Sequence, residues 1–305
     1  CEAIVCEIAG MNRGISLMNR RLMYTGIRCS SAGCLIIGNE ILNGSVKEAN
    51  LHPLAKTLFD RGVSLKTVEV VSDDFQTIET AIKRMKQSVD YIFTTGGIGS
   101  THDDVTYEAI ARTFNETLEL DKTTESLLGE QLKKNNKELN DERRRMCIFP
   151  TNSTIYRTKL AQSILDGSTK PDDVPVPISW VPLVVTHNCY IFPGVPHIFR
   201  FLLKEFEDVL PSGSVSKMIH RNLFGQVAEG DVAKILRETQ EWFDKQEKFI
   251  QIGSYPELIG QNEIYQIRIS LTSPDEIVIN EAEERLLIHH PFRREPFGEL
   301  YVPKE

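Results

Sequence analysis

The feature that most restricts the fold of this chain is a short buried strand that runs without a break into a glycine-rich turn and then a helix. Tyr91-Ile92-Phe93-Thr94-Thr95 is an apolar and β-branched run of strand length. It leads into Gly96-Gly97-Ile98-Gly99-Ser100-Thr101-His102-Asp103-Asp104-Val105-Thr106, and a helical pattern continues to Phe114. The same alternation starts at Gly33. Cys34-Leu35-Ile36-Ile37 ends at Gly38, and Asn50 stands before a helix with Pro53 in its first turn and Leu54, Ala55, Leu58 and Phe59 on one face. Val63 to Val71 is the next strand, Ser72-Asp73-Asp74 a turn, and Ile78, Ile82 and Met85 the inner face of another helix. Strands and helices in alternation predict an α/β domain of three layers, α/β/α, with a mostly parallel sheet.

The glycine segment also carries chemistry. Glycines directly after a buried strand let the backbone turn sharply and approach a ligand, and the helix start that follows offers N–H groups to an anion. The segment lacks the G-K-[ST] of a P-loop and the GxGxxG of a dinucleotide fold. Asp103 and Asp104, next to Thr101, would repel an anion held in such a nest unless a divalent cation lay between them, which makes them candidate metal ligands. The other reading of Asp103, Asp104 and Thr106 is capping of the helix that follows.

Composition sets the outer limits. A length of 305 residues suggests about two domains at roughly 150 residues each. A net charge of −8 gives no general attraction to a phosphate backbone, and Arg143-Arg144-Arg145 is expected to be a solvated turn or helix end, so no nucleic-acid partner is expected. No apolar run is long enough to span a membrane. Six cysteines without a CxxC or zinc spacing suggest reduced thiols. Met11 to Ala32 holds Arg13, Arg20, Arg21 and Arg28, several serines and no acid, so residues 1–32 are set apart from the fold as a transit peptide or a gene-model extension. The expected location is cytoplasmic, or mitochondrial if that segment is a transit peptide.

Three motifs in order resemble one family. Gly96 to Thr106 resembles the GGxGPTxDDxT signature of the molybdopterin-binding-like domain of CinA proteins and of the N-terminus of eukaryotic FAD synthases. Gly38-Asn39-Glu40-Ile41-Leu42-Asn43-Gly44, with Asn50 beyond it, looks like the family's first-strand loop, and Ile191-Phe192-Pro193-Gly194-Val195-Pro196 is similar to its strand-then-PGxP turn. Gly253-Ser254-Tyr255-Pro256 followed by a strand from Ile264 to Leu271 resembles the small α/β module after that domain. Ser100 stands where the family has proline and Asn39 where it has Asp or Thr. No G-T-A-P-G element precedes Ile191; Asp166 to Pro182 is expected to be a longer irregular loop in its place.

The resemblance implies a molybdopterin-binding-like domain over 33–212, a small α+β module over 213–290 and a tail over 291–305. Asp121 to Asn140 is expected to be a charged helix. FAD synthesis is not expected, because these 305 residues contain no counterpart of the domain that performs it. The expected activity is metal-dependent hydrolysis of a nucleotide diphosphate such as FAD or ADP-ribose, with a divalent ion of the magnesium, manganese or cobalt type. Asp103, Asp104 and Glu40 are the expected catalytic and metal residues, with Glu40 a metal contact or general base. Gly96, Gly97, Gly99, Ser100, Thr101, Asn50, Thr106, Pro193 and Gly194 are expected to bind or position the diphosphate. Molybdopterin adenylylation or handling, as in MogA-type relatives, and non-catalytic nucleotide binding are the alternatives; a homo-oligomer is the expected assembly.

Overall fold

The computed structural model describes residues 30–169, 180–213, 218–259 and 264–295. The segment set apart as a leader lies outside them, except that strand β1 (Ser31–Ile37) begins at Ser31 rather than Gly33. Its start is fixed by Ser31, whose N–H and hydroxyl both donate to the Asp90 carboxylate, at 2.8 and 2.7 Å. The chain divides into two compact units, one over Ser30–Ser212 and one containing 213–295.

In the first unit β1 is followed by a short helix α1 (Asn39–Leu42), helix α2 (Leu51–Asp60), β2 (Ser64–Val71), α3 (Phe75–Ser88), β3 (Tyr91–Thr95) and α4 (Thr106–Thr113). Then come β4 (Leu118–Leu120), α5 (Lys122–Lys134), α6 (Asp141–Arg144), β5 (Ile148–Pro150), β6 (Ser153–Tyr156), α7 (Lys159–Leu165), β7 (Leu183–Thr186), β8 (Cys189–Phe192) and α8 (Pro196–Glu205). The main sheet has six strands in the order β2-β1-β3-β8-β7-β6. Its first three pairings are parallel; β7 pairs antiparallel with both β8 and β6, so the sheet is parallel at its centre and mixed at one edge. β4 and β5 form a separate antiparallel ribbon.

Alternation along β1 explains the layers. Leu35 and Ile37 face a core completed by Ile78, Ala81, Ile82 and Met85 of α3 and by Ala109 and Ile110 of α4. Cys34 and Ile36 face the other side, against Leu54 and Leu58 of α2 and Phe199, Leu202 and Leu203 of α8. Both faces of the sheet are covered by helices, as its continuous apolar strands require. The thiols of Cys34, Cys147 and Cys189 are free and buried. Burial pushes those of Cys34 and Cys147 up to about 12, with nearby carboxylates adding to the effect.

One expectation changes here. The charged helix expected over Asp121 to Asn140 is α5, which ends at Lys134; Asp121 is its cap, accepting from Thr124 N–H at 2.7 Å, and Leu127, Leu128 and Leu132 bury one face. Of the expected loop Asp166 to Pro182, residues 166–169 form a turn after α7, and 170–179 lie outside the described residues. Gly129 lies inside α5, and a Cβ there would meet nothing within 4 Å. Gly129→Ala is therefore expected to stabilise the first unit by about 0.5–1 kcal/mol through helix propensity. Thermal unfolding checks this as a rise of a few degrees in midpoint.

The second unit has strands β9 (Ile219–Gly225), β10 (Gln251–Ile259) and β11 (Ile264–Ser273) in an antiparallel sheet ordered β10-β11-β9, with helices α9 (Glu229–Lys245) and α10 (Glu276–Leu287). Leu223, Ile267, Ile269 and Leu271 of the sheet pack with Val232 and Phe243 of α9 and Ile279 and Ala282 of α10 in one core, the expected small α+β module. Gly253 to Pro256 lie within β10, and the strand expected from Ile264 to Leu271 is β11. The expected tail also begins too early. Phe292 is buried in this core, Arg293 bridges to Phe224, and the Arg294 guanidinium holds both carboxylate oxygens of Glu283, at 2.8 and 2.9 Å.

Candidate functional site

The chain passes from β1 to β2 on one side and then to β3 on the other side of β1, so the connections diverge between β1 and β3. Ligands of open α/β sheets bind in the crevice at such a switch point, beyond the carboxyl ends of the strands. The loops that leave these ends are Gly38 to Asn50 and Gly96 to Val105, and a cavity of about 490 Å³ opens between them.

Two glycines shape its floor. Gly96 has φ 104° and Gly97 has φ 65°, conformations that side chains strongly disfavour. A Cβ on Gly96 would strike the carbonyl of Ile37, and one on Gly97 the hydroxyl of Thr106. Thr106 closes the turn from below: its N–H donates to Gly97 O and its hydroxyl to Gly96 O, each at 3.0 Å. The N–H groups of Gly97 and Gly99 make no hydrogen bond among the described residues.

Above the turn lie the acids. Asp104 Oδ2 accepts from Thr101 N–H at 2.9 Å and from the Thr101 hydroxyl, closing a tight loop over residues 101–104. Neither Asp103 nor Asp104 caps α4, whose N-cap position is Val105 and has no side-chain bond, so the capping reading of these residues is not what the structure shows. The Thr101 hydroxyl, with the charges of His102 and Arg145 behind it, holds the Asp103 carboxyl below the usual range. Across the cavity stands Asp73, at the carboxyl end of β2, whose carboxylate accepts from Asn39 N–H at 2.7 Å. Burial raises its pKa, and the nearby charges of Glu40, Asp103 and Asp104 raise it further.

Of the expected site residues, Glu40, Gly96, Gly97, Gly99, Thr101, Asp103, Asp104, Pro193 and Gly194 line this cavity together. Ser100, Asn50 and Thr106 are not on its wall. Asn50 is 5% exposed and acts from beneath, its amide donating to the Thr95 hydroxyl at 2.9 Å and to Gly194 O at 2.8 Å. The Thr95 hydroxyl in turn donates to Pro193 O at 3.0 Å, so one buried network ties the start of α2 to the ends of β3 and β8. Asn50, at the N-cap position of α2, makes no side-chain cap bond, and Glu48 accepts from Asn50 N–H and Leu51 N–H at 2.6 and 2.9 Å.

Two contributors were not among the expected site residues. Asp73 was assigned only to a turn, although its place just past a parallel strand was a signal. Arg145, last of the arginine triplet, is no solvated end: its guanidinium donates to Thr101 O and Asp104 O, both at 3.1 Å, and faces Glu108 at 3.5 Å. It fixes the backbone on either side of Asp103.

A three-layer α/β unit with a glycine turn and carboxylates lining a cavity at its switch point has the architecture in which open α/β sheets take small-molecule ligands. Residues 33–212 match the family described as "Probable molybdopterin binding domain", and the chain belongs to that family. Residues 217–293 match a second family, "FAD synthase, middle domain". The chain is 28% identical to the "Probable FAD synthase" of Caenorhabditis briggsae over 85% of its own length and 50% of that protein's, so it spans about half the length of such curated relatives. A "CinA-like protein" of Citrifermentans bemidjiense is 28% identical over 66% of this chain and 46% of that protein. Among solved structures, the CinA protein of Thermoplasma acidophilum, titled as of unknown function, superposes with a TM-score of 0.48 at 25% identity, covering 59% of this chain and 98% of that one. Among the described residues no helix is long and apolar enough to cross a membrane.

Proposed function

We propose that this cavity binds a nucleotide diphosphate of the FAD or ADP-ribose kind together with a divalent metal ion and hydrolyses its phosphoric anhydride bond. Family membership and the FAD synthase relatives support the coarser statement, a nucleotide- or cofactor-related function. The observation that supports the finer one is the charge of the wall. Glu40, Asp73, Asp103 and Asp104 all line the cavity beside the glycine turn, and among the described residues no Lys, Arg or His side chain does.

A diphosphate entering alone would meet like charge at close range, a repulsion of about 4 kcal/mol per pair at 4 Å and an effective dielectric constant near 20. A divalent cation reverses that sign. The donors suit one: carboxylate oxygens are hard ligands for ions of the magnesium or manganese type. Among the described residues no three acids, histidines or cysteines converge into a ready cluster. An ion held by two carboxylates keeps several waters, and magnesium is commonly bound so. Asp103 and Asp104 would hold it, with Glu40 as a further contact. Such an ion, when bound, neutralises charge on the phosphoryl oxygens and polarises them toward attack.

The chain's own groups supply the rest. The N–H groups of Gly97 and Gly99, without a partner among the described residues, are the donors assigned to an anionic oxygen of the ligand. Glu40 is assigned the proton of the attacking water, and Arg145 and Thr101 hold the acidic loop in place.

Purified protein incubated with FAD and ADP-ribose under magnesium, manganese or cobalt tests this by chromatography of the products. FMN with AMP, and ribose 5-phosphate with AMP, are expected, and only with metal present. Saturable nucleotide binding without products would favour the binding-only reading, and preferential binding of a pterin the reading that the family's description suggests.

A further inference from the structure

The proposed chemistry uses the carboxylates and the glycine turn and leaves the apolar part of the wall unexplained. Met146, Trp180, Val181, Pro182 and Ile198 also line the cavity. A diphosphate with its metal and waters would leave this surface wet, whereas ligand pockets of this size are dominated by apolar and aromatic walls that take an organic ring. Of the two aromatic side chains on the wall, Tyr107 is buried in a core cluster of the first unit, which leaves the larger plane, that of Trp180. It is half-buried and packs against two separate clusters, one with Phe199 and Leu203 and one with Leu128 and Cys147. Its backbone leads directly into Val181 and Leu183, both buried, so its position is set by the core rather than by a free loop.

From this juxtaposition we infer that Trp180 and Met146 form a subsite for the planar heteroaromatic base of the ligand. The subsite rests on the reading of the carboxylates and the glycine turn as a diphosphate site. A fixed indole provides a large rigid face whose free rotamers are already lost before binding. The Met146 thioether is soft, polarizable and suited to an aromatic edge. The base, rather than the diphosphate, then sets which anhydrides are accepted, and ringless anhydrides such as inorganic pyrophosphate bind more weakly.

The chain has two tryptophans, and Trp242 lies in α9 of the second unit. A Trp242→Phe protein therefore reports Trp180 emission alone. Titration with ADP-ribose and magnesium is expected to change that emission saturably, while ribose 5-phosphate and pyrophosphate leave it unchanged. By calorimetry, Trp180→Ala is expected to weaken ADP-ribose binding about tenfold or more, the scale of base–aromatic stacking. Pyrophosphate affinity stays within about twofold, and Trp180→Phe recovers most of the ADP-ribose affinity.

Trp180 emission that does not respond at saturating ADP-ribose overturns the subsite without any substitution at Trp180. A folded Trp180→Ala protein that binds ADP-ribose like its parent does the same, even if hydrolysis proceeds. Base-dependent binding with no hydrolysis keeps the subsite and rejects the hydrolase reading. Absence of ADP-ribose binding by the parent rejects both.

Discussion

In an Asp103→Asn variant, metal-dependent hydrolysis of ADP-ribose is expected to fall about a hundredfold or more, equivalent to about 3 kcal/mol, with little change in melting midpoint. Asn keeps the size of the side chain, and the loop backbone stays anchored through Arg145 to Thr101 O and Asp104 O. What disappears is the charge. Asp104→Asn is expected to have the larger effect, because Asp104 Oδ2 also receives both the N–H and the hydroxyl of Thr101, and a neutral amide oxygen accepts them more weakly than a carboxylate does. That variant should lose about 1 kcal/mol of stability in addition to its activity. Metal titration followed by calorimetry separates the causes: weaker metal binding accompanies a ligand role, and unchanged metal binding with a lowered melting midpoint accompanies a structural one. Both Asn variants turning over at the parental rate would remove these carboxylates from the chemistry.

The sequence showed this loop clearly because its evidence is local. A β-branched strand, two glycines and a pair of aspartates occur in one continuous stretch, and their order alone places carboxylates beside a sharp turn. The strands and the inner faces of α2, α3 and α8 were legible for the same reason, since burial on both sides of a sheet leaves its period in the chain. What was hidden depends on residues far apart. Asn50 has the composition of a helix cap, yet its side chain makes no cap bond and its amide donates to Thr95 and Gly194 in a buried network. Arg145 looks like any arginine at a helix end until β5 brings it beside residues 101–104. Asp73 looks like turn chemistry until β2 pairs with β1 and carries it to the cavity. Antiparallel pairing at the β7 edge was also unreadable, because a buried strand shows its burial and not its direction. The end of the second unit was misplaced for a further reason: a single phenylalanine, Phe292, has no period, and only its burial against the sheet shows that the fold continues past His290.

Gly96 is where these distant parts meet, and Gly96→Ala should be among the most damaging single substitutions in the first unit. Its N–H donates to Phe192 O at 3.2 Å, which fastens the end of β3 to β8. A new Cβ there would run into the Ile37 carbonyl of β1, and Gly194 packs against its Cα from the opposite side. Backbone atoms of central strands cannot move aside as a flexible side chain can. The left-handed conformation alone costs about 1–3 kcal/mol, and displacement of β1 from β3 adds to it. A total of about 3–4 kcal/mol would lower the melting midpoint by about 10 °C in a unit of this size. Gly44→Ala provides the comparison. Gly44 has φ 75°, but a Cβ there would meet nothing within 4 Å, so only the conformational cost of about 1 kcal/mol applies. Thermal unfolding and ADP-ribose binding of the two variants, measured side by side, separate strain from collision. If Gly96→Ala melted and bound like Gly44→Ala, the turn would be able to shift as a body, and the tight junction of β1, β3 and β8 would not be what holds the glycine loop over the cavity.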